Sequence, residues 1–86
     1  MKVDIQLYGA FRQCDATGHI QLEVSDACTV EVLRQALATH LSQHCPGFHS
    51  GLLQHSAFAD ATQILSDTQQ LPSHAQLAIL PPVSGG

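Results

Sequence analysis

Basic residues are scarce in this chain. Only Lys2, Arg12 and Arg34 stand against seven acidic residues, for a net charge of −4. So few cations cannot form a patch that holds a phosphate backbone, so nucleic-acid binding is disfavoured. No stretch approaches the roughly 18–20 apolar residues of a membrane span. The opening Met1-Lys2-Val3-Asp4 carries an acid where a signal peptide needs an apolar run. Cysteine is sparse too: Cys14, Cys28 and Cys45 are odd in number, widely spaced and without a C-x-x-C pair. That pattern is not a disulfide framework, and it points to a reduced, cytoplasmic setting.

What is present is apolar and small in scale. At 86 residues the chain is one domain. A chain of this size buries about 60–65% of the surface its unfolded form exposes, so a deep internal active site is not expected. Hydrophobic residues make up 44% and charged residues 12%, a balance that argues against disorder. Six histidines make the net charge less negative below about pH 6.5.

The apolar residues fall into periods. Val3, Ile5 and Leu7 alternate with polar neighbours over residues 2–8, which predicts a half-buried strand. A loop over 9–18 closes at Gly18, and Ile20, Leu22 and Val24 alternate over 19–25. The two together predict an antiparallel hairpin with one wet face. Thr29 is a suitable N-cap and Glu31 suits the first turn of a helix. Val30, Leu33, Leu37 and Leu41 then form one apolar stripe, with Arg34, Gln35 and Thr39 away from it. Pro46-Gly47 stops the helix.

Residues 47–56 lack a clear pattern and are expected to be a loop, with Leu52 or Leu53 tucked under. Short strands are expected at 57–59 and 63–65. A polar connection follows over 66–74, anchored by Leu71. A last strand is expected at 75–80, with Leu77 and Ile79 inward and Ala78 and Leu80 outward. Strands with a helix on one side make an α+β domain. If the first and last strands pair in parallel at the centre of the sheet, the fold is a β-grasp, or ubiquitin-like, roll. The expected division is a β-grasp domain over 1–80 and a flexible tail over 81–86.

No packing argument in the sequence explains that tail, Pro81-Pro82-Val83-Ser84-Gly85-Gly86. Proline fixes φ, so the pair should lead the chain off the last strand in an extended form. Gly-Gly adds nothing to a core. It leaves a bare carboxylate on a thin tip, able to enter a channel where any Cβ would clash.

Three stretches carry a family resemblance. They are Val3–Arg12 at the opening strand and loop, Thr29–Leu37 at the helix start, and Leu77–Gly86 at the end. Over its whole length the chain resembles the ThiS/MoaD β-grasp sulfur carriers. The ending, apolar-apolar-Pro-Pro-Val-small-Gly-Gly, is typical of the MoaD branch, the small subunits of molybdopterin synthase. Ala59-Asp60-Ala61-Thr62 departs from that branch's usual Val-Asn-like dipeptide, and Ser73-His74-Ala75-Gln76 from its Gly-Asp-type turn.

The resemblance implies a non-catalytic subunit with no cofactor of its own. A MoeB-like adenylating enzyme uses ATP to activate the carboxyl of Gly86. Sulfur from a persulfide protein displaces AMP to leave a thiocarboxylate. A MoaE-like large subunit, in a heterotetramer, then uses that sulfur on a cyclic pterin precursor. Pro81, Pro82, Val83, Ser84 and Gly85 would enter the partner's channel. Leu80 is the first candidate for an interface anchor and Ile64 the second, and matching to the family puts Arg12 on the partner-facing surface. A ThiS-like carrier for thiamin or another pathway, a ubiquitin-like conjugation tag and a plain interaction module are the alternatives.

His40 and His44 are spaced i, i+4, with Cys45, His49 and His55 downstream, but histidines near a helix C-terminus also simply favour the dipole. No metal site is assigned. Cys28 precedes a helix N-terminus, which could lower its pKa. With no partner base in view it is expected to be inert.

Overall fold

The computed structural model describes residues 1–82. Five strands and two helices follow in the order β1 (Lys2–Leu7), β2 (His19–Glu23), α1 (Val30–His44), α2 (Ser50–Gln54), β3 (Ala57–Ala59), β4 (Ile64–Leu65) and β5 (Gln76–Leu80). A 3-10 segment, Gly9–Cys14, lies between β1 and β2. The sheet order is β2-β1-β5-β3-β4. β1 and β5 pair in parallel at its centre, with Ile5 opposite Leu77 and Leu7 opposite Ile79. The other ladders are antiparallel. This mixed sheet with its crossover helix is the expected β-grasp roll.

The two-residue period of the strands and the helical stripe of α1 meet in one core. Val3, Ile5 and Ile79 on the sheet and Val30, Leu33, Leu37 and Leu41 on α1 are completely buried. Phe58 and Leu53 join them. Ile20 is buried, but Leu22 and Val24 are only partly so, because β2 is an edge strand and its end lies past the helix.

The start of α1 is held by another part of the chain. Thr29 Oγ1 accepts from the Val32 amide, the expected cap. The amides of Val30 and Glu31, orphaned by the helix geometry, donate to the carbonyls of Gln69 and Asp67. The 66–71 connection is therefore the cover of the helix N-terminus, and buried Leu71 anchors it.

Four expectations change. Residues 47–56 are not a plain loop: Ser50–Gln54 form a short helix that buries Leu53 and leaves Leu52 half-buried. The loop over 9–18 contains the 3-10 segment, which buries Phe11. Arg34 does not simply face water away from the stripe. Its Nη1 donates to the carbonyls of Leu53 and Ser56 at 2.6 and 2.7 Å, and its Nη2 donates to Asp67 at 2.8 Å. The guanidinium also sits 5.2 Å from the centre of the Phe58 ring, within reach of a cation–π contact. One side chain thus joins α1, α2, β3 and the 66–71 connection.

The fourth change concerns the cysteines. Cys14 and Cys45 form a disulfide across a sequence separation of 31. Burial of Phe11 draws the 3-10 segment against the last turn of α1, which puts the two Cα atoms 4.9 Å apart. That separation lies inside the range a disulfide spans. Cys28 is the free thiol, and burial pushes its pKa up, so proximity to a helix N-terminus does not activate it.

Candidate functional site: the outer sheet face and the root of the tail

Alternation along the central strands sends one set of side chains to the helix and the other to the opposite face. Register fixes that outer set. Ile64, Ala59, Ala78, Gln6 and His19 form one row across all five strands. Ala57 and Leu80 form the next. One step beyond the Leu7–Ile79 pair, Tyr8 follows in extended conformation beside Leu80. The outer face is therefore apolar at its β3–β5 centre, with small alanines between larger side chains. Ile64 is 67% exposed and Tyr8 43% exposed. The two stand apart on the face, Ile64 on edge strand β4 and Tyr8 just past the end of β1, with β5 and β3 between them.

Polar groups border the patch. Tyr8 Oη donates to Gln6 Oε1 at 2.9 Å. His19 Nδ1 lies 3.1 Å from Asp4 Oδ1. Asp60 accepts from the amides of Thr62 and Gln63 and from the Thr62 hydroxyl, which fixes the turn between β3 and β4. These bonds, with His74 near by, hold the Asp60 carboxyl below its ordinary pKa. Between Asp4 and Asp60 the face is hollowed into an open depression of about 440 Å³ floored by Ala59 and Ala78.

The root of the tail has its own seat. Gly9 follows β1 with φ of +58°, a conformation glycine adopts without strain. A Cβ on Gly9 would lie 2.6 Å from Pro81 Cγ, so the missing side chain is the space Pro81 occupies. Because β1 and β5 are parallel, both leave the sheet at the same end, and the chain departing from Leu80 packs at once on the chain departing from Leu7. The direction in which residue 82 sets off is fixed by that contact.

The site residues expected from sequence are placed as follows. Leu80 is on the outer face, half-buried. Ile64 is on the same face and exposed, and Leu65 is the core residue of β4. Pro81 is seated on Gly9 and Pro82 is exposed. Arg12 is exposed on the 3-10 segment, and its guanidinium reaches the turn at Gly18. It shares the tail's end of the sheet, but no hydrogen bond joins it to Leu80 or Ile64 among the described residues. Val83, Ser84, Gly85 and Gly86 lie outside the described residues.

Sequence reasoning missed Tyr8 and Gly9. The signal for Tyr8 was its place in the alternation of β1. For Gly9 it was a glycine directly after a strand whose parallel partner ends in Pro-Pro. The His40 and His44 rings lie 4.5 Å apart, and burial with repulsion from His44 lowers the His40 pKa. His44 is exposed. Among the described residues no group of three His, Cys, Asp or Glu side chains is placed to hold a metal ion. No helix among them is long and apolar enough to cross a membrane.

No protein-family model matches the chain, and no curated protein sequence matches it. Solved structures do. The crystal structure of SAMP1 from Haloferax volcanii superposes with a TM-score of 0.66 at 20% identity, covering 100% of both chains. The solution structure of the Haloferax volcanii HVO 2177 protein gives 0.72 at 18% identity, covering 100% of this chain and 87% of that one. The UBL domain of Plasmodium falciparum Dsk2 gives 0.63 at 14% identity, covering 95% and 97%. What this chain shares with them, at such identities, is the ubiquitin-like β-grasp fold.

Proposed function

We propose that this chain is a ubiquitin-like sulfur carrier in molybdopterin synthesis, with the carboxyl of Gly86 as its reacting group. The observation that carries the proposal is the seat of Pro81 on Gly9. It leads Pro81 and Pro82 off the same end of the sheet at which the outer face terminates in Leu80 and Tyr8. A partner that grips the face through Leu80 and Ile64 meets the tail where it leaves the sheet at Pro81. Arg12, on the same end, is proposed to contact that partner. Residues 1–80 act as the handle and 81–86 as the inserted segment. The prolines restrict the segment before it binds, which reduces the entropy lost on insertion.

The chemistry follows from the carboxylate. As a bare acid it is a poor electrophile. A MoeB-like enzyme transfers AMP from ATP to it, releasing pyrophosphate, and so supplies a leaving group. The terminal sulfur of a persulfide protein attacks the carbonyl carbon and AMP departs, leaving an acyl disulfide. A thiol then attacks the donor-side sulfur of that bond, forms a disulfide with it and so supplies the two electrons that release the acyl sulfur. The product is a thiocarboxylate, a soft nucleophile. In a heterotetramer with a MoaE-like subunit, the thiocarboxylate gives up its sulfur to a cyclic pterin precursor. The acid and base groups for these steps belong to the partners, so the chain alone is not an enzyme and binds no cofactor. The proposed setting is the cytoplasm, where a disulfide such as Cys14–Cys45 is typically transient.

Pyrophosphate release tests the first step. With an adenylating partner and ATP, release should depend on this chain and vanish when Gly86 is deleted, while the thermal transition of the deleted chain stays in place. Release that survives the deletion contradicts the proposal. The likeness to a UBL domain favours a second reading, a conjugation tag joined through Gly86 to a lysine. It would appear as lysine-linked adducts of the chain. A ThiS-like role in thiamin synthesis would show as sulfur transfer with no requirement for a MoaE-like partner.

A further inference from the structure

The 3-10 segment is tied at both ends. At its start Gly9 cradles Pro81, and at its finish Cys14 is bonded to Cys45 at the end of α1. Between them Phe11 is fully buried. The segment is only six residues long, so a change at Cys14 lies about 10 Å along its axis from the tail seat. A groove of about 160 Å³ opens onto the disulfide, walled by Ala10, Phe48 and His49. Cys14 is half-buried, whereas the unpaired Cys28 is sunk in the core. The bond is therefore reachable by a thiolate in a way that Cys28 is not. Thiol–disulfide exchange needs this access to one sulfur.

We propose that Cys14–Cys45 is a reversible redox clasp that controls the seat of the tail. Closed, it pins the 3-10 segment to α1 and keeps Gly9 against Pro81. A dithiol opens it in two steps. One thiolate attacks the sulfur of Cys14 and displaces Cys45 as a thiolate, which takes up a proton. The second thiol of the reductant then attacks the mixed disulfide and frees Cys14. Two electrons and two protons pass to the chain, and the dithiol leaves as its own disulfide. With the clasp open, Phe11 and the Phe11–Tyr8 backbone bond still hold the segment, but its far end is released from α1 and the seat of Pro81 loosens. The clasp sets how firmly the tail is aimed, whatever chemistry the tail then performs.

The test uses the full chain, prepared oxidised and after treatment with dithiothreitol. Alkylation after unfolding should label one cysteine in the oxidised chain and three in the reduced one. Reduction should lower the thermal midpoint by more than about 10 °C, since the bond closes a loop of some thirty residues. It should also shift the amide resonances of Tyr8 and Gly9 and weaken the Gly9–Pro81 nuclear Overhauser contact, while Phe58 and Ala59 stay put. A chain carrying both Cys14→Ser and Cys45→Ser should resemble the reduced state and ignore the reductant. Three labelled cysteines under oxidising conditions would overturn the clasp. So would a disulfide whose reduction leaves the midpoint, Gly9 and Pro81 unchanged.

Discussion

The two faces of the sheet are made from the same strands and differ in almost every other respect. The inner face carries Val3, Ile5, Phe58 and Ile79, all fully buried against the stripe of α1. The outer face carries alanines at its centre, an exposed Ile64, and Tyr8 and Leu80 at the end where the chain departs. Folding accounts for the first set, because burying aliphatic surface is the main favourable term. It does not account for the second, in which Ile64 and Tyr8 stay exposed and Leu80 half-exposed. On the proposed function, the difference separates the residues that make the handle from those through which a partner would grip it.

The largest expected effect is on the inner face. Leu37→Ala should cost about 3–5 kcal/mol, the transfer and cavity terms of a fully buried leucine. Urea denaturation would read it directly. A smaller loss, near that of a surface substitution, would mean that α1 does not close the core as described. Arg34→Ala comes next, at about 2–3 kcal/mol, because it strips a charged donor from two backbone carbonyls and Asp67. Hydrogen exchange should rise together in α2, at the start of β3 and in the 66–71 connection.

Gly9→Ala is expected to cost about 1–2 kcal/mol through its positive φ. Its more telling effect is functional. The added Cβ displaces Pro81, so sulfur transfer should fall more than stability does. Ile64→Asp sharpens the comparison from the other side. It should change stability by no more than about 0.5 kcal/mol. Binding to the large subunit should weaken at least about tenfold, the scale of an interface anchor. A loss of fold instead would show that Ile64 belongs to the core.

The smallest effect is on acid response. The Asp60 carboxyl is held below its ordinary 3.8 by the Thr62 amide, and further by Gln63 and the Thr62 hydroxyl. A depressed carboxyl contributes stability above its unfolded value and loses it as pH falls through the lower folded one. Asp60→Asn should therefore lower stability slightly at neutral pH, where the ionised carboxyl contributes, and the two stability profiles should converge as pH falls below 3.8.

Much of this was legible in the sequence because it depends on local period. The stripe of Val30, Leu33, Leu37 and Leu41 and the alternation of β1 and β5 gave the helix, the central strands and their inner faces. Pairing of distant residues was not legible. Arg34 sits one position from Leu33 and looks like surface, since its partners lie 19, 22 and 33 residues away. Cys14 and Cys45 meet only because Phe11 folds inward, which no spacing rule reports. Ser50–Gln54 is too short, and too close to glycine, to show a helical period. Of the site, Leu80 and Ile64 followed from alternation, while the Gly9 seat required two parallel strands to end side by side.

Intact mass spectrometry of the chain after incubation with its adenylating partner, ATP and a persulfide donor tests the central proposal most directly. The expected result is a mass increase equal to one oxygen replaced by sulfur, mapped to Gly86 and removed when a MoaE-like subunit and the pterin precursor are added. An unchanged mass under conditions that adenylate Gly86, or a mass gained only through lysine adducts, would contradict it.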